Sequence, residues 1–351
     1  MSLINTRIQN LRALSNMDKY ETRPSRYGAL DLFMRHSADP AGILTPELVS
    51  LAEQSIGSTL EVPVFDFDGD VTIGSSRTLE IADDENTSQM HEITFATYAW
   101  GFTIVPALYH NNEIAMQRDF EQKFIKYLYK FAATLDTACV AALASAATKV
   151  VEDDLVYLFD NDVLRGEYDQ RTQLIGDLSP IMAANDYFNQ LHLVGNAGVE
   201  SHIRHLAQMG LYNQENRQLQ YGDKILHFTN RISNALETFA TGYAVNAASL
   251  GMLTRFEPEV LLNTRARTGH EWSREFLPLI DMEVGTYFYE SVGDFSAIAG
   301  AASADMDRVR KQHYGFAVDV GILTPYMTDT DNRPTPILKF EVAEPDVGEG
   351  T

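Results

Sequence analysis

Residues 89–112 read QMHEITFATYAWGFTIVPALYHNN, and residues 113–149 continue EIAMQRDFEQKFIKYLYKFAATLDTACVAALASAATK. The first part alternates. His91, Ile93, Phe95 and Thr97 interleave with Glu92, Thr94, Ala96 and Tyr98, a period of two that predicts a strand with one buried face. The run Phe102–Tyr109 is apolar almost throughout and predicts a second, more deeply buried strand. After His110, Asn111 and Asn112 the period changes. Phe120, Phe124, Leu128, Phe131 and Leu135 recur at helical spacing, and no Gly or Pro interrupts Glu113 to Lys149. A helix over that span is roughly 50 Å long at about 1.5 Å per residue. That exceeds the usual globular helix and suits a strut in an elongated subunit.

The remainder of the composition bounds what the chain does. Its 351 residues are 45% hydrophobic and 22% charged, which suits a folded chain with a substantial core. On length, about two domains are expected. The net charge is −22, from 49 acidic against 27 basic residues, so the surface repels phosphate backbones and argues against specific nucleic-acid binding. The acid is spread along the chain. It serves as a solubilising, self-repelling surface or as a charge regulating assembly. Cys139 is the single cysteine, set among alanines in the long helix as a small buried hydrophobe. It excludes an intrachain disulfide framework and fits a reducing compartment. Residues 2–15 carry Arg7, Gln9, Asn10 and Arg12 and no signal-peptide apolar core, and no apolar run reaches membrane-spanning length.

Outward from the central stretch, Ile4, Ile8, Leu11 and Leu14 form one face of a short N-terminal helix. Residues 16–42, with Pro24, Gly28, Pro40 and Gly42, read as an irregular arm that must lean on something to be ordered. Thr45, Pro46 and Glu47 form an N-cap, first-turn proline and first-turn acid for a helix to about Gln54. Residues 57–100 read as a long antiparallel excursion with turns at Asp66–Asp70 and Asp83–Ser88. A two-stranded excursion is marginal alone and should pack on a neighbouring subunit. Residues 150–180 are mixed. A helix is expected over 181–189, a strand over 191–194, a turn over 195–198, a helix over 199–209 and a strand over 225–228. Residues 237–250 are ambiguous, and 272–282 and 286–291 have strand character. Residues 297–313 read as helical, 315–321 and 337–342 as strands, and 344–351 as a frayed tail.

Catalytic patterns start and fail. Asp66, Asp68 and Asp70 with Gly69 resemble the opening of a calcium loop. The glycine comes one place early, and Arg77 occupies the position that needs a bidentate glutamate. His91-Glu92 opens a zincin-like motif, but Phe95 stands where its second histidine is required. His202 and His205 share a helical face, with His192 and His227 near in sequence. This set is a possible zinc site, set against ordinary core and surface histidines. Trp272, beside His270 and Glu271, lines a pocket or anchors a loop. There is no phosphate-binding glycine loop and no nucleophile elbow. No catalytic, cofactor-binding or metal site is therefore expected.

An arm, a long hairpin, a strand, a spine-like helix, an α+β region and a returning strand follow one another in this order. That order resembles the major capsid proteins of tailed bacteriophages with the Hong Kong 97 fold. Residues 92–109 running into Glu113, and Leu191–Leu206 with its strand, turn and helix, carry the resemblance locally. Residues 251–255 and 269–272 look like later pieces of the same region. The resemblance implies an α+β chain with an N-terminal arm at 1–55, an extended loop at 56–100, a peripheral domain at 101–175 and 315–351, and an axial domain at 176–314. It implies a structural role rather than an enzyme: self-assembly as hexamers and pentamers into an icosahedral head around double-stranded DNA. The expected site is the virion, built in the host bacterial cytoplasm. Expected partners are further copies of the chain, scaffolding, portal and decoration proteins, and packaged DNA held without specificity. No membrane is involved. Two alternatives stand beside it: an encapsulin-like nanocompartment shell and a cytosolic α+β metalloenzyme. Asp83, Asp84 and Glu85, at the loop tip, are the expected assembly contacts. A sequence starting at Met1 leads to the expectation that no N-terminal domain is removed on maturation. The loop has no lysine, since none lies between Lys19 and Lys123. The Lys–Asn cross-links that part of the family uses are thus not expected.

Overall fold

The computed structural model describes residues 6–8, 27–39, 42–55, 57–64, 89–109, 112–147, 158–160, 163–185, 187–207, 219–221, 224–256, 270–277, 280, 282–293, 309–325 and 335–345. In chain order these contain α1 (Gly28–Ala38), α2 (Pro46–Gln54), β1 (Thr59–Val64), β2 (Gln89–Ile104), a 3-10 turn at Pro106–Tyr109 and α3 (Glu113–Ala146). Then come β3 (Leu158–Asp160), β4 (Val163–Gly166), a 3-10 turn at Tyr168–Gln170, α4 (Arg171–Ala184), β5 (Leu191–Gly195), α5 (Ala197–Ala207), β6 (Leu219–Tyr221) and β7 (Lys224–Phe228). The last strands are β8 (Thr238–Asn246), β9 (Gly251–Arg255), β10 (His270–Leu277), β11 (Met282–Gly293), β12 (Val309–Leu323) and β13 (Ile337–Ala343). The architecture is α+β, as the sequence implies.

Two sheets organise it. One is antiparallel, in the order β1-β2-β12-β11-β10, with β9 also pairing β12. The other is mixed, in the order β3-β4-β13-β8-β5-β7-β6, and its parallel pairs are β13–β4 and β5–β7. The long helix α3 lies on the first sheet. Asn112 caps its start by accepting the amides of Ile114 and Ala115. Its 34 residues give a rod of about 51 Å. The stripe Met116, Phe120, Phe124, Leu128, Phe131 and Leu135 is buried. It meets aromatics of β2 and β12: Phe120 packs 5.1 Å from Tyr314, and Phe124 lies 5.5 Å from Phe316, on which Trp100 stacks at 4.0 Å. Such offset and edge-on pairs add to the burial of large rings. The second sheet's core is mainly aliphatic, with Leu164, Leu174, Leu178, Leu193, Ile203 and Leu338 around Phe340.

Several expectations need correction. β2 is one strand, and the apolar run beyond it does not extend to Tyr109. Pro106 has no amide for a ladder, and the chain turns there, with Leu108 donating to the Val105 carbonyl at 3.1 Å. The arm is not wholly irregular, because α1 occupies 28–38, with Ala29, Leu30, Leu32 and Phe33 buried. The helix expected at 181–189 is α4, which starts at Arg171 and ends at Ala184. Pro180 sits inside it without breaking it. Its missing amide leaves the Gly176 carbonyl without a helical donor, and the Lys224 ammonium fills that role at 3.3 Å. The ambiguous 237–250 contains β8, and 251–255 is β9. The expected helix 297–313 is strand over its described part, because Val309–His313 pairs along its whole length with β11, and Gln312 and His313 pair with β2 as well. Local propensity yields there to strand pairing.

Other expectations hold. Thr45 accepts the Leu48 amide at 3.3 Å ahead of Pro46, as the cap pattern predicts. α5 follows β5 across a turn where Asn196 accepts the amides of Gly198 and Val199. Of the N-terminal apolar face, Ile8 is described. It is helical and fully buried. β13 joins the strands of 158–246, while β10 and β11 join β2 and β12 on the spine side.

Candidate functional site

Two joints attach the chain's outlying parts to its body. The first holds α1. Tyr27 forms a β-bridge with Thr229, and Gly28 lies so close to the Phe228 carbonyl that a Cβ would collide with it. Tyr27 offers no side-chain cap to α1. The cap comes instead from α3, where Asp136 accepts the Leu30 amide at 3.0 Å and also takes the Thr229 hydroxyl hydrogen. Asp136 is fully buried, and that burial holds its carboxyl above the usual range against the pull of Thr229, the backbone amides and Arg231.

A chain of imidazoles continues from there. Asp31 of α1 lies 3.0 Å from His227 Nδ1 of β7, and His227 Nε2 lies 2.9 Å from His192 Nδ1 of β5. With a carboxylate accepting at one end, Nδ1–H of His227 donates to Asp31. His36 of α1 meets the His192 ring edge-on at 4.9 Å. Its ring is 3% exposed, and neither ring nitrogen has a hydrogen-bond partner among the described residues. Burial, followed by the charge of His227, pushes His36 down to about 4 and His192 to about 3. Burial would lift Asp31, but its hydrogen bond to His227 and the charges of His227 and Arg35 hold it below the usual range.

The second joint holds the root of the excursion. Arg255, at the end of β9, pairs with Asp319 of β12 at 3.1 Å. Its remaining donors reach the Ser55 carbonyl at 2.7 Å, the Ser55 hydroxyl at 2.6 Å and the Gly57 carbonyl. The guanidinium plane sits 4.1 Å from the Phe95 ring centre. Asp319 also accepts the Thr97 hydroxyl at 2.6 Å. One buried cation thus ties the end of α2, the start of β1, and strands β2, β9 and β12 together. Leu48, Ala52, Leu60, Ile93, Phe95 and Leu253 pack around it.

From this root the excursion leaves the sheet. Residues 95–104 of β2 pair with β12, whereas 89–94 pair with β1, from Thr59 opposite Thr94 to Val64 opposite Gln89. Among the described residues those six have no second neighbouring strand, and Met90 is 60% exposed. The sequence-predicted contacts Asp83, Asp84 and Glu85 lie outside the described residues, as do Asp66, Asp68 and Asp70.

The histidine set proposed for a metal does not gather. His192 and His227 meet, but His202 bonds the Thr172 hydroxyl at 3.2 Å and His205 is exposed on α5. Among the described residues no group of three His, Cys, Asp or Glu side chains is arranged to hold a metal ion. Cys139 is buried in α3, and burial with the nearby Asp136 pushes its thiol well up, away from nucleophilic use. His270 stacks on Tyr287 and Tyr289, while Trp272 is 45% exposed on the edge strand β10. A cleft of about 430 Å³ lies elsewhere, at the start of α3, lined by Tyr109, Asn112, Ile114, Arg118, Asp119 and Gln122. Among the described residues, no helix is long and apolar enough to cross a membrane. Sequence reading missed Asp31, His36, Asp136, Arg255 and Asp319. Asp136 alone carried a signal, a lone carboxylate on the apolar stripe beside Ala132, Leu135 and Cys139.

No protein-family model and no curated protein matches the chain. Solved structures similar to it include one from Mycobacterium phage Che8, at 8% identity and a TM-score of 0.46, covering 85% of this chain and 88% of that one. The capsid of Ralstonia phage GP4 matches at 10% identity and 0.45, covering 85% and 87%. A structure from Microbacterium phage Oxtober96 matches at 14% identity and 0.43, covering 91% and 99%. These likenesses are distant in sequence and loose in superposition, so the functional reading rests on the chain's own architecture.

Proposed function

We propose that this chain is the major capsid protein of a tailed bacteriophage, assembling with copies of itself into an icosahedral head around double-stranded DNA. The observation that carries the reading is the two-stranded ribbon of β1 and residues 89–94, which leaves the sheet beside a rod-like helix. A ribbon of two strands is marginal in water. Its exposed residues are explained if a neighbouring copy covers them. The division into arm, extended loop, peripheral and axial regions belongs to the same proposal, with 337–343 as a strand contributed to the axial side's sheet. So do assembly in the host cytoplasm, partnership with scaffolding, portal and decoration proteins, a role for Asp83, Asp84 and Glu85 at the loop tip, and a purely structural, non-enzymatic task. The charge of −22 supports DNA that is confined rather than gripped.

The test is electron microscopy of the full-length chain co-expressed with its neighbouring phage genes. Closed shells tens of nanometres across are expected, filled with DNA when packaging proteins are supplied. A monodisperse monomer or dimer under those conditions overturns the reading. Shells that instead fill with a co-expressed protein would move it to a nanocompartment.

A further inference from the structure

We propose that α1 is a proton-operated latch: Asp31, His36, His192 and His227 hold the arm helix on the second sheet while His36 and His192 are neutral, and acid releases it. The three histidines come from α1, β5 and β7, so the cluster exists only while the arm is docked. His227 and His192 complete a chain that ends on Asp31. His36 extends it without a hydrogen bond, its two ring nitrogens buried and unpartnered among the described residues. An orphaned buried polar group makes docking weaker than the apolar contacts of Leu30, Leu32 and Phe33 alone would make it. A residue that penalises the docked state when neutral, and penalises it more when charged, is a poor core residue. It suits an element built to come away.

The groups facing the cluster set the sign. On α1 they are Asp31, Arg35, His36 and Asp39; on β5, His192; on β7, His227; Asp136 of α3, with Arg231 acting on it, meets α1 separately at the Leu30 amide. His36 stands at about 4 and His192 at about 3 while docked, burial being the first cause, against 6.5 for a solvated imidazole. Between about 6.5 and about 4 the released arm therefore binds more protons than the docked arm. Docking is at full strength above 6.5 and weakens as the pH falls through that window. Asp31, held below 3.8, adds the same sign only in stronger acid. Asp136 opposes it, because its raised carboxyl takes up a proton more readily when docked. The histidines titrate first on the way down from neutral pH.

Hydrogen exchange of the Leu30, Leu32 and Phe33 amides in the full-length chain, corrected for the intrinsic pH dependence, tests the latch. Between pH 6 and pH 5 their protection should fall about tenfold for each histidine that gains a proton on release. The α3 amides around Phe124 should keep theirs. His36→Leu should raise arm protection at pH 7 and flatten the pH slope by about one proton. A residue that only packs would give lower protection and an unchanged slope. His36→Gln, which carries no titrating ring, is the second variant and should flatten the slope even if it docks less tightly. Equal slopes in the wild type and both variants, or loss of arm and α3 protection together, overturn the proposal. The measurement needs no shells, so its failure is distinct from failure of the capsid reading.

Discussion

The arm and the excursion are both appendages, yet they are fastened by opposite chemistry. The arm joint is built from carboxyl and imidazole groups: Asp31, His36, His192, His227 and a carboxyl, Asp136, that caps a helix from another element. The excursion's root is built on Arg255, whose planar guanidinium directs its donors to Asp319, Ser55 and Gly57. The latch proposal makes the first fastening conditional on proton activity. On that proposal α1 is the part of the chain built to change its attachment, while Arg255 fixes the root of the excursion to the sheet.

The comparison breaks first at Arg255. Arg255→Met leaves Asp319 buried without its cation and strands the Ser55 and Gly57 carbonyls, so denaturant unfolding should show a loss of about 3–5 kcal/mol. A loss below about 1 kcal/mol would mean that the apolar cluster around Leu60 and Phe95, and not the cation, holds the root.

Asp136→Ala comes next. It uncaps α1 and leaves the Thr229 hydroxyl without its acceptor, an expected cost of about 2–3 kcal/mol. Exchange protection should fall in α1 and remain at Phe95 and Thr97. Asp136→Asn, which keeps one acceptor oxygen, should recover part of it. Equal losses in arm and root would show that the two joints are not independent.

A smaller effect is expected from pH alone. Between pH 6.5 and pH 5, α1 docking should weaken by about 1–2 kcal/mol per histidine protonated on release, while the root amides stay unchanged. Parallel decay of both regions would erase the distinction. The smallest effect on stability belongs to Met90→Ser on the ribbon. Met90 is 60% exposed, so unfolding should shift by less than about 0.5 kcal/mol. Shell yield in microscopy should nonetheless drop if a neighbouring copy covers that residue. Unchanged yield would remove Met90 from the interface.

The sequence by itself determined the elements whose side chains report on their own period. The alternation of 89–98 and the stripe from Phe120 to Leu135 are local patterns, and both appear as β2 and α3. Thr45 and Pro46 start α2 for equally local reasons, through a hydroxyl acceptor and a missing amide. Only the tertiary structure decided the rest. α1 was illegible because its cap is Asp136, more than a hundred positions away, and because Asp31, Arg35 and His36 interrupt its apolar stripe. Pro180 reads as a breaker until Lys224 arrives from β7 to take the freed carbonyl. Val309–His313 is strand because β11 pairs with all of it and β2 with its last two residues. The joints themselves are meetings of single residues from distant elements, Asp31 with His227 and Arg255 with Asp319. A period or a motif needs neighbours along the chain, whereas a buried polar contact needs only neighbours in space.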